Sequence, residues 1–86
     1  MAKDEGSISV EICDHVLLVG LNRPEKYNGY TPTMAAELVA ALTRLDEEDE
    51  LRVGVLYGHG DHFTAGLDLP KWTEKFNLRA AVHYNL

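Results

Sequence analysis

The sequence lacks the defining features of several large classes of protein. It has one cysteine, Cys13, so an internal disulfide is excluded, and the apolar alternation around this thiol predicts a buried, unreactive side chain. Its 8 basic residues against 14 acidic ones give a net charge of −6, which excludes the basic surface that nucleic-acid binding requires. No apolar run approaches the about 18 residues of a membrane span, and the polar start resembles neither a signal nor a transit peptide. We therefore expect a cytoplasmic protein with no nucleic-acid or membrane partner.

Two parts of the chain have the residue pattern of β-strands. Apolar and polar residues alternate from Ile8 to Ile12, and residues 16–21 form a nearly continuous apolar run. Asp14 and His15 between them predict a tight turn, and therefore a hairpin whose second strand is the more buried. Residues 53–57 are short, apolar and rich in valine, which predicts a buried strand parallel to the second hairpin strand.

Helix signals lie on either side of this third strand. Thr31 and Pro32 are residues typical of a helix start, and they begin a predicted helix of about three turns. Its apolar face comprises Met34, Leu38, Ala41, Leu42 and Leu45. The helix should end at the acidic run of residues 46–50, a predicted solvated loop. A second helix is predicted from Pro70 to about His83, with inward-facing Trp72, Phe76 and either Leu78 or Ala80.

Two segments carry the strongest functional signal. The first is Leu21-Asn22-Arg23-Pro24-Glu25-Lys26-Tyr27-Asn28-Gly29, and the second is His62-Phe63-Thr64-Ala65-Gly66-Leu67-Asp68-Leu69. They are separated by roughly 35 residues that contain the amphipathic helix, the acidic run and the third strand. In this order and at this spacing they closely resemble the N-terminal part of the crotonase (enoyl-CoA hydratase/isomerase) family. The resemblance implies an α/β fold, specifically a partial ββα superhelix in which residues 1–86 form a single, incomplete crotonase-like domain.

The resemblance also implies a set of site residues. In this family a thioester carbonyl becomes an oxyanion, and backbone N–H groups stabilise the charge. The donor here would be the N–H of Leu67, and Gly66 would let the thioester approach the backbone. The implied contacts with the coenzyme A portion are Arg23, Lys26, Tyr27, Gly29, Ala65, Asp68 and Leu69. Coenzyme A enters as part of the acyl-CoA substrate, and no separate cofactor is expected.

Several of these residues also have a purely structural interpretation. Gly66 would serve equally as a bulge in a core strand, and Arg23 and Lys26 would serve as solvated surface cations rather than phosphate ligands. The sequence departs from the family at Gly29 and Tyr30, where alanine and an aliphatic residue are usual, and Tyr30 would change the pocket wall. His59 and His62 resemble half of a metal site but lack a third ligand, so no metal is predicted. Ser7, Ser9, His15 and His83 form no recognisable catalytic triad.

The resemblance places the catalytic glutamates and the second oxyanion donor of hydratases later in the chain, beyond Leu86. This leaves open whether the chain is itself an enzyme or a non-catalytic remnant that binds coenzyme A or another protein. A homo-oligomer, or a complementary C-terminal chain, is the expected assembly. The remaining alternative is an unrelated small α/β binding protein, which a structure without a strand–helix–strand crossover between Leu21 and Val53 would favour.

Overall fold

A computed structural model describes residues 5–76, which form a three-stranded sheet with two helices. Strands β1 (Ser7–Cys13) and β2 (Val16–Asn22) form the predicted hairpin, with Val10 opposite Val19. Asp14 adopts a φ of 56° in the turn between them, a conformation that aspartate tolerates better than most residues. Helix α1 (Pro32–Glu47) then leads to β3 (Val53–Gly58), and helix α2 spans Leu69–Phe76.

The sheet order is β1-β2-β3, with β3 parallel to β2. The strand–helix–strand crossover is therefore present, so the structure does not have the feature that would have favoured an unrelated α/β protein. Odd-numbered residues of β2 point toward α1, and Leu17 and Val19 form the core together with Ala41 and Leu51. The second hairpin strand is more buried than the first, as predicted.

Helix α1 begins as predicted and continues further. The Thr31 hydroxyl accepts a hydrogen bond from Met34 N–H at 3.1 Å, and Pro32 occupies the first turn. The helix has 16 residues, about four and a half turns rather than about three, and it includes Asp46 and Glu47. Arg44 pairs with Glu48 at 2.7 Å and so places a cation near the helix end, where it offsets the unfavourable acidic charge. The acidic run is solvated but is only partly a loop.

The burial predicted for Cys13 is wrong. The side chains of Ile8, Val10 and Ile12 share one face of β1, and Cys13 points to the other face, where it is exposed. The predicted burial of β3 is also wrong, because Val53, Val55 and Leu56 are 42–52% exposed. β3 lies at one edge of the sheet, and in the described part of the chain only α1 covers one of its faces.

The segment between β3 and α2 is irregular. It contains one isolated bridge, between Tyr30 and Leu67, so a bulge in a core strand does not describe Gly66. Helix α2 begins at Leu69, one residue before the predicted start, and Trp72 is half-buried within it. The predicted inward side chains of Phe76, Leu78 and Ala80, and the predicted helix end near His83, lie outside what the structure describes. No helix in residues 5–76 is long and apolar enough to cross a membrane.

Candidate oxyanion and acyl-CoA site

The two motif segments lie against each other, joined by a fully buried asparagine. Asn28 Nδ2 donates to the carbonyl oxygens of His59, His62 and Phe63 at 2.9, 2.8 and 3.1 Å. Its Oδ1 accepts a hydrogen bond from Arg23 N–H at 2.8 Å. Asn28 has a φ of 55°, a left-handed conformation in which asparagine is enriched. One amide therefore fixes the turn after β2 to the loop after β3.

Backbone hydrogen bonds complete this junction. Ala65 N–H donates to Tyr27 O, Tyr30 N–H donates to Gly66 O, and both distances are close to the ideal at 2.9 and 2.8 Å. The Thr64 hydroxyl donates to Asn28 O at 2.6 Å. The loop after β3 is thereby held in register beside residues 27–30.

Leu67 has an unusual position in this junction. Tyr30 N–H bonds to Gly66 O, and Asp68 N–H bonds to Tyr30 O, so the residues on either side of Leu67 make the bridge. In a parallel bridge of this kind the N–H of the central residue points to the opposite side. Within residues 5–76, Leu67 N–H has no hydrogen-bond acceptor.

Gly66 supplies the backbone conformation that this arrangement needs. Its φ is +101°, which L side chains rarely adopt. A Cβ added there would meet no atom within 4 Å, so the reason for glycine is the conformation and not crowding by the protein. Within the described residues, the space beside Gly66 is open.

An apolar cavity of about 270 Å³ has Gly66 and Leu67 among its lining residues. Its walls come from β2, α1, β3 and the two motif segments; the lining residues are Leu21, Tyr30, Leu38, Leu56, Phe63, Thr64, Gly66 and Leu67. A larger cavity of about 510 Å³ lies between α1 and α2, but it includes neither motif segment. Charged side chains line it, and two of them, Lys71 and Glu5, already pair at 2.7 Å. The smaller cavity is the one that adjoins Gly66 and Leu67.

The position of Arg23, beside Asp68, agrees with neither of its sequence-based interpretations, a phosphate ligand or a solvated surface cation. Arg23 is 2% exposed, so it is not a solvated surface cation. Its guanidinium donates to Asp68 Oδ2 at 2.7 Å and to Gly29 O at 3.0 Å, and it does not present itself to a phosphate. The hydrogen bond from Arg23 holds the pKa of the Asp68 carboxyl below its usual value. These predicted ligand-binding residues therefore stabilise the junction itself.

The other predicted contacts of coenzyme A lie on the accessible side of the same junction. Lys26, Tyr27, Ala65 and Leu69 are all exposed, and Tyr27 is linked to Ala65 by a backbone hydrogen bond. Tyr27 also packs edge-on against the His62 ring, with the centroids 5.2 Å apart. Gly29 is buried against Arg23. The structure brings the predicted residues together, and it separates them into an exposed set and a buried, structural set.

Sequence reasoning missed two features of this region. Asn28 was assigned no role of its own from the sequence, although its place within the Asn-Arg-Pro-Glu-Lys-Tyr-Asn motif was a signal for a specific role. The position of Tyr30 was also missed: Trp72 Nε1 donates to Tyr30 O at 2.8 Å, and the two rings stack with centroids 6.2 Å apart. No local pattern links residues so far apart in the chain.

On the opposite face of the sheet, Ser9 Oγ and His59 Nε2 are 2.7 Å apart, with the Tyr57 hydroxyl 3.4 Å from the same nitrogen. The sequence did not predict this pair. It lies away from Leu67, and no carboxylate completes it among the contacts of residues 5–76. Residues 5–76 contain no group of three or more histidine, cysteine or acidic side chains that could hold a metal ion.

Comparison with known proteins identifies the family. The model of the enoyl-CoA hydratase/isomerase family matches residues 11–85. This chain belongs to that family. It is 41% identical over 66 residues to hydroxycinnamoyl-CoA hydratase-lyase from Pseudomonas fluorescens, covering 77% of this chain and 24% of that protein. It is 43% identical over 68 residues to mevalonyl-coenzyme A hydratase from Beauveria bassiana, covering 79% and 24%.

A solved structure confirms the fold of this part of the family. The crystal structure of enoyl-CoA hydratase from Mycobacterium tuberculosis superposes with a TM-score of 0.76 at 32% identity, over 84% of this chain and 28% of that one. The chain thus spans about a quarter of the length of its relatives. The predicted resemblance and the partial crotonase-like fold are both confirmed.

Proposed function

We propose that this chain forms the acyl-CoA-binding part of an enoyl-CoA hydratase/isomerase-type site, in which Leu67 N–H donates to the thioester oxygen. The observation that carries the proposal is the N–H of Leu67, which has no acceptor within residues 5–76, in a residue that lines an apolar cavity and follows a glycine with φ +101°. A fixed backbone donor stabilises charge on a carbonyl oxygen without reorganising, and one such donor is typically worth about 10²–10³ in rate. The apolar cavity would receive the acyl group.

The exposed side of the junction would receive the coenzyme A portion. Tyr27, Ala65 and Leu69 offer an aromatic ring and accessible backbone, and Lys26 offers an exposed cation for a phosphate. The buried pair of Arg23 and Asp68 would act indirectly, by holding residues 27–30 and 65–68 in place. The named relatives are CoA hydratases, which supports the same ligand class for this chain.

Isothermal titration with crotonyl-CoA tests the proposal. We expect weak binding that is reduced several-fold by Lys26→Ala. Leu67→Pro removes the proposed donor, while Leu67→Ala keeps it and serves as the matched control. Binding that is weakened by the proline and retained by the alanine supports the role of the N–H, provided that circular dichroism shows both variants folded. No binding up to millimolar crotonyl-CoA by the unmodified chain would contradict the proposed function.

A further inference from the structure

Two aromatic side chains, Tyr30 and Phe63, line the apolar cavity beside Leu67. The remaining lining is aliphatic apart from Thr64 and the backbone of Gly66, and no charged side chain in the described part of the chain faces it. Such a lining selects an uncharged, apolar group. Any specificity beyond that must come from the shape of the cavity and from the two rings.

The volume shows what size of group this open depression has room for. A cavity of about 150 Å³ lined by aliphatic and aromatic side chains is known to hold one benzene molecule. The cavity here measures about 270 Å³. It has room for one six-membered ring with a short linker, and it is below the range of about 300–1,000 Å³ typical of sites for whole drug-sized ligands.

Tyr30 is held in place by contacts of both its backbone and its ring. Its backbone N–H donates to Gly66 O, and its carbonyl accepts from Asp68 N–H and from Trp72 Nε1. Its ring stacks on that of Trp72 with an interplanar angle of 25°. Burial raises the pKa of the Tyr30 phenol, so the side chain stays neutral at physiological pH. A ring held in this way is already positioned to contact a second ring.

We propose that the cavity accepts an aryl acyl group, and that Tyr30 is the residue that determines this preference through ring contact with the ligand. The inference rests on the proposed acyl-CoA site and adds the substrate class. Aromatic pairs prefer offset or edge-on contacts, which give them an affinity beyond that of buried area alone. A saturated ring of similar size would bury comparable area without that contribution.

The test compares three ligands with the unmodified chain by isothermal titration: benzoyl-CoA, cyclohexanecarboxyl-CoA and CoA. The expected result is that benzoyl-CoA binds about threefold to tenfold more tightly than the saturated analogue, and that both bind more tightly than CoA. Tyr30→Leu should reduce the preference for the aryl ligand to less than about twofold, while Tyr30→Phe should retain it.

The outcomes separate the two proposals. Equal affinity for the aryl and saturated thioesters, with both above CoA, would overturn the aryl preference and leave the acyl-CoA site in place. No binding of any thioester would overturn both. An aryl preference that persists undiminished in folded Tyr30→Leu would overturn the role of Tyr30. If that variant does not fold, the ratio measured with the unmodified chain and with Tyr30→Phe still decides the ligand class.

Discussion

Arg23 and Asp68 form an ion pair of 2.7 Å that joins the segment after β2 to the residue immediately before α2. The side chain of Arg23 is 2% exposed and that of Asp68 is 21% exposed. Removing the partner of a charge in such a buried position costs free energy. The pair therefore holds the two segments together in the folded protein. The position of the Leu67 N–H depends on this junction, because Asp68 is its neighbour in the chain.

Replacing Asp68 by asparagine should therefore destabilise the fold. The guanidinium of Arg23 would lose the carboxylate of Asp68 as a partner. Because Asp68 keeps some solvent exposure, we expect a loss of about 2–3 kcal/mol in unfolding free energy at pH 7, somewhat below the value for a fully buried pair. Urea denaturation measures it. Glu48→Gln is the control, since it breaks the exposed Arg44–Glu48 pair and should have a much smaller effect. Equal effects in the two variants would contradict a structural role for the Arg23–Asp68 pair.

The same pair should make stability depend on pH. Arg23 lowers the folded-state pKa of Asp68 below the ordinary 3.8, so the unfolded chain binds the proton more readily than the folded one. The stabilisation is then fully present above pH about 3.8, and it decreases as pH falls through the lower folded-state pKa. Urea midpoints of the unmodified chain should decline between pH 5 and pH 2 more steeply than those of Asp68→Asn. Parallel pH profiles would show that Asp68 does not contribute.

Asn28 provides a sharper test of the junction. Asn28→Asp replaces the donor Nδ2 by a carboxylate oxygen. The three carbonyl oxygens that accept hydrogen bonds from Nδ2 would then face an oxygen that cannot donate to them. We expect a loss of at least about 3 kcal/mol, because a buried acceptor and a buried charge are both left unpaired. The matched control is Asn22→Asp at an exposed position, where little change is expected. Thermal denaturation followed by circular dichroism compares the two, and similar melting temperatures would disprove the structural role of Asn28.

The sequence correctly predicted the secondary structure that depends on interactions between residues close together in the chain. The Asp14-His15 turn, the Thr31 cap and the first-turn Pro32 act within a few residues, and the structure confirms the hairpin and the start of α1. Predictions that depend on distant neighbours were less successful. The burial of Val53 and Val55 depends on what covers β3, and a run of apolar residues does not contain that information. The prediction for Cys13 was wrong because Cys13 is one residue out of step with the alternating apolar residues of β1, whose side chains point to the other face of the strand.

In the candidate site, too, the sequence predicted what depends on local residues and missed what depends on contacts between distant residues. The motif pattern identified Gly66 and Leu67, and the structure gives Gly66 a positive φ and leaves the Leu67 N–H unengaged in the described part of the chain. The pattern did not distinguish Arg23, which is buried, from Lys26, which is exposed. That difference arises from the pairing of Arg23 with Asp68, a contact between residues far apart in the chain. Side-chain type alone cannot separate a structural cation from one that is available to a ligand.

The exposed face of the sheet predicts self-association. Val53 and Val55 lie on the same face of β3 and are 52% and 42% exposed. Apolar surface of this kind, at a strand edge with no partner strand in the described residues, favours contact with another molecule. Sedimentation velocity should therefore show species larger than a monomer, increasing with concentration.

Val55→Lys should reduce this association, because it places a charge on the exposed face. Val39→Lys makes the same change on α1, where the side chain is 64% exposed, and it serves as the control. A single compact monomer at all concentrations, with a cooperative thermal transition, would contradict the prediction. Equal effects of the two lysine variants would indicate that net charge, and not the face of β3, controls association.

The 86-residue chain should show no measurable hydration of crotonyl-CoA. Hydration requires a group that activates water and another that protonates the carbon, and general acid–base groups typically contribute about 10²–10⁴ each. No carboxylate lines the cavity beside Leu67 in residues 5–76, and Asp68 is held as an anion by Arg23. One backbone donor worth about 10²–10³ does not compensate for the absence of both groups. The expected rate is that of the uncatalysed reaction.

The measurement is the loss of enoyl-thioester absorbance with purified protein, followed over hours. Activity from a contaminating hydratase would not depend on the sequence of this chain, so Leu67→Pro and Leu67→Ala distinguish the two sources. Turnover that survives purification, persists in Leu67→Ala and disappears in Leu67→Pro would prove the prediction wrong, because a base would then have to exist within this chain. Asp61, which is exposed in the loop after β3, would be the first residue to replace, since Asp68 already has a structural partner.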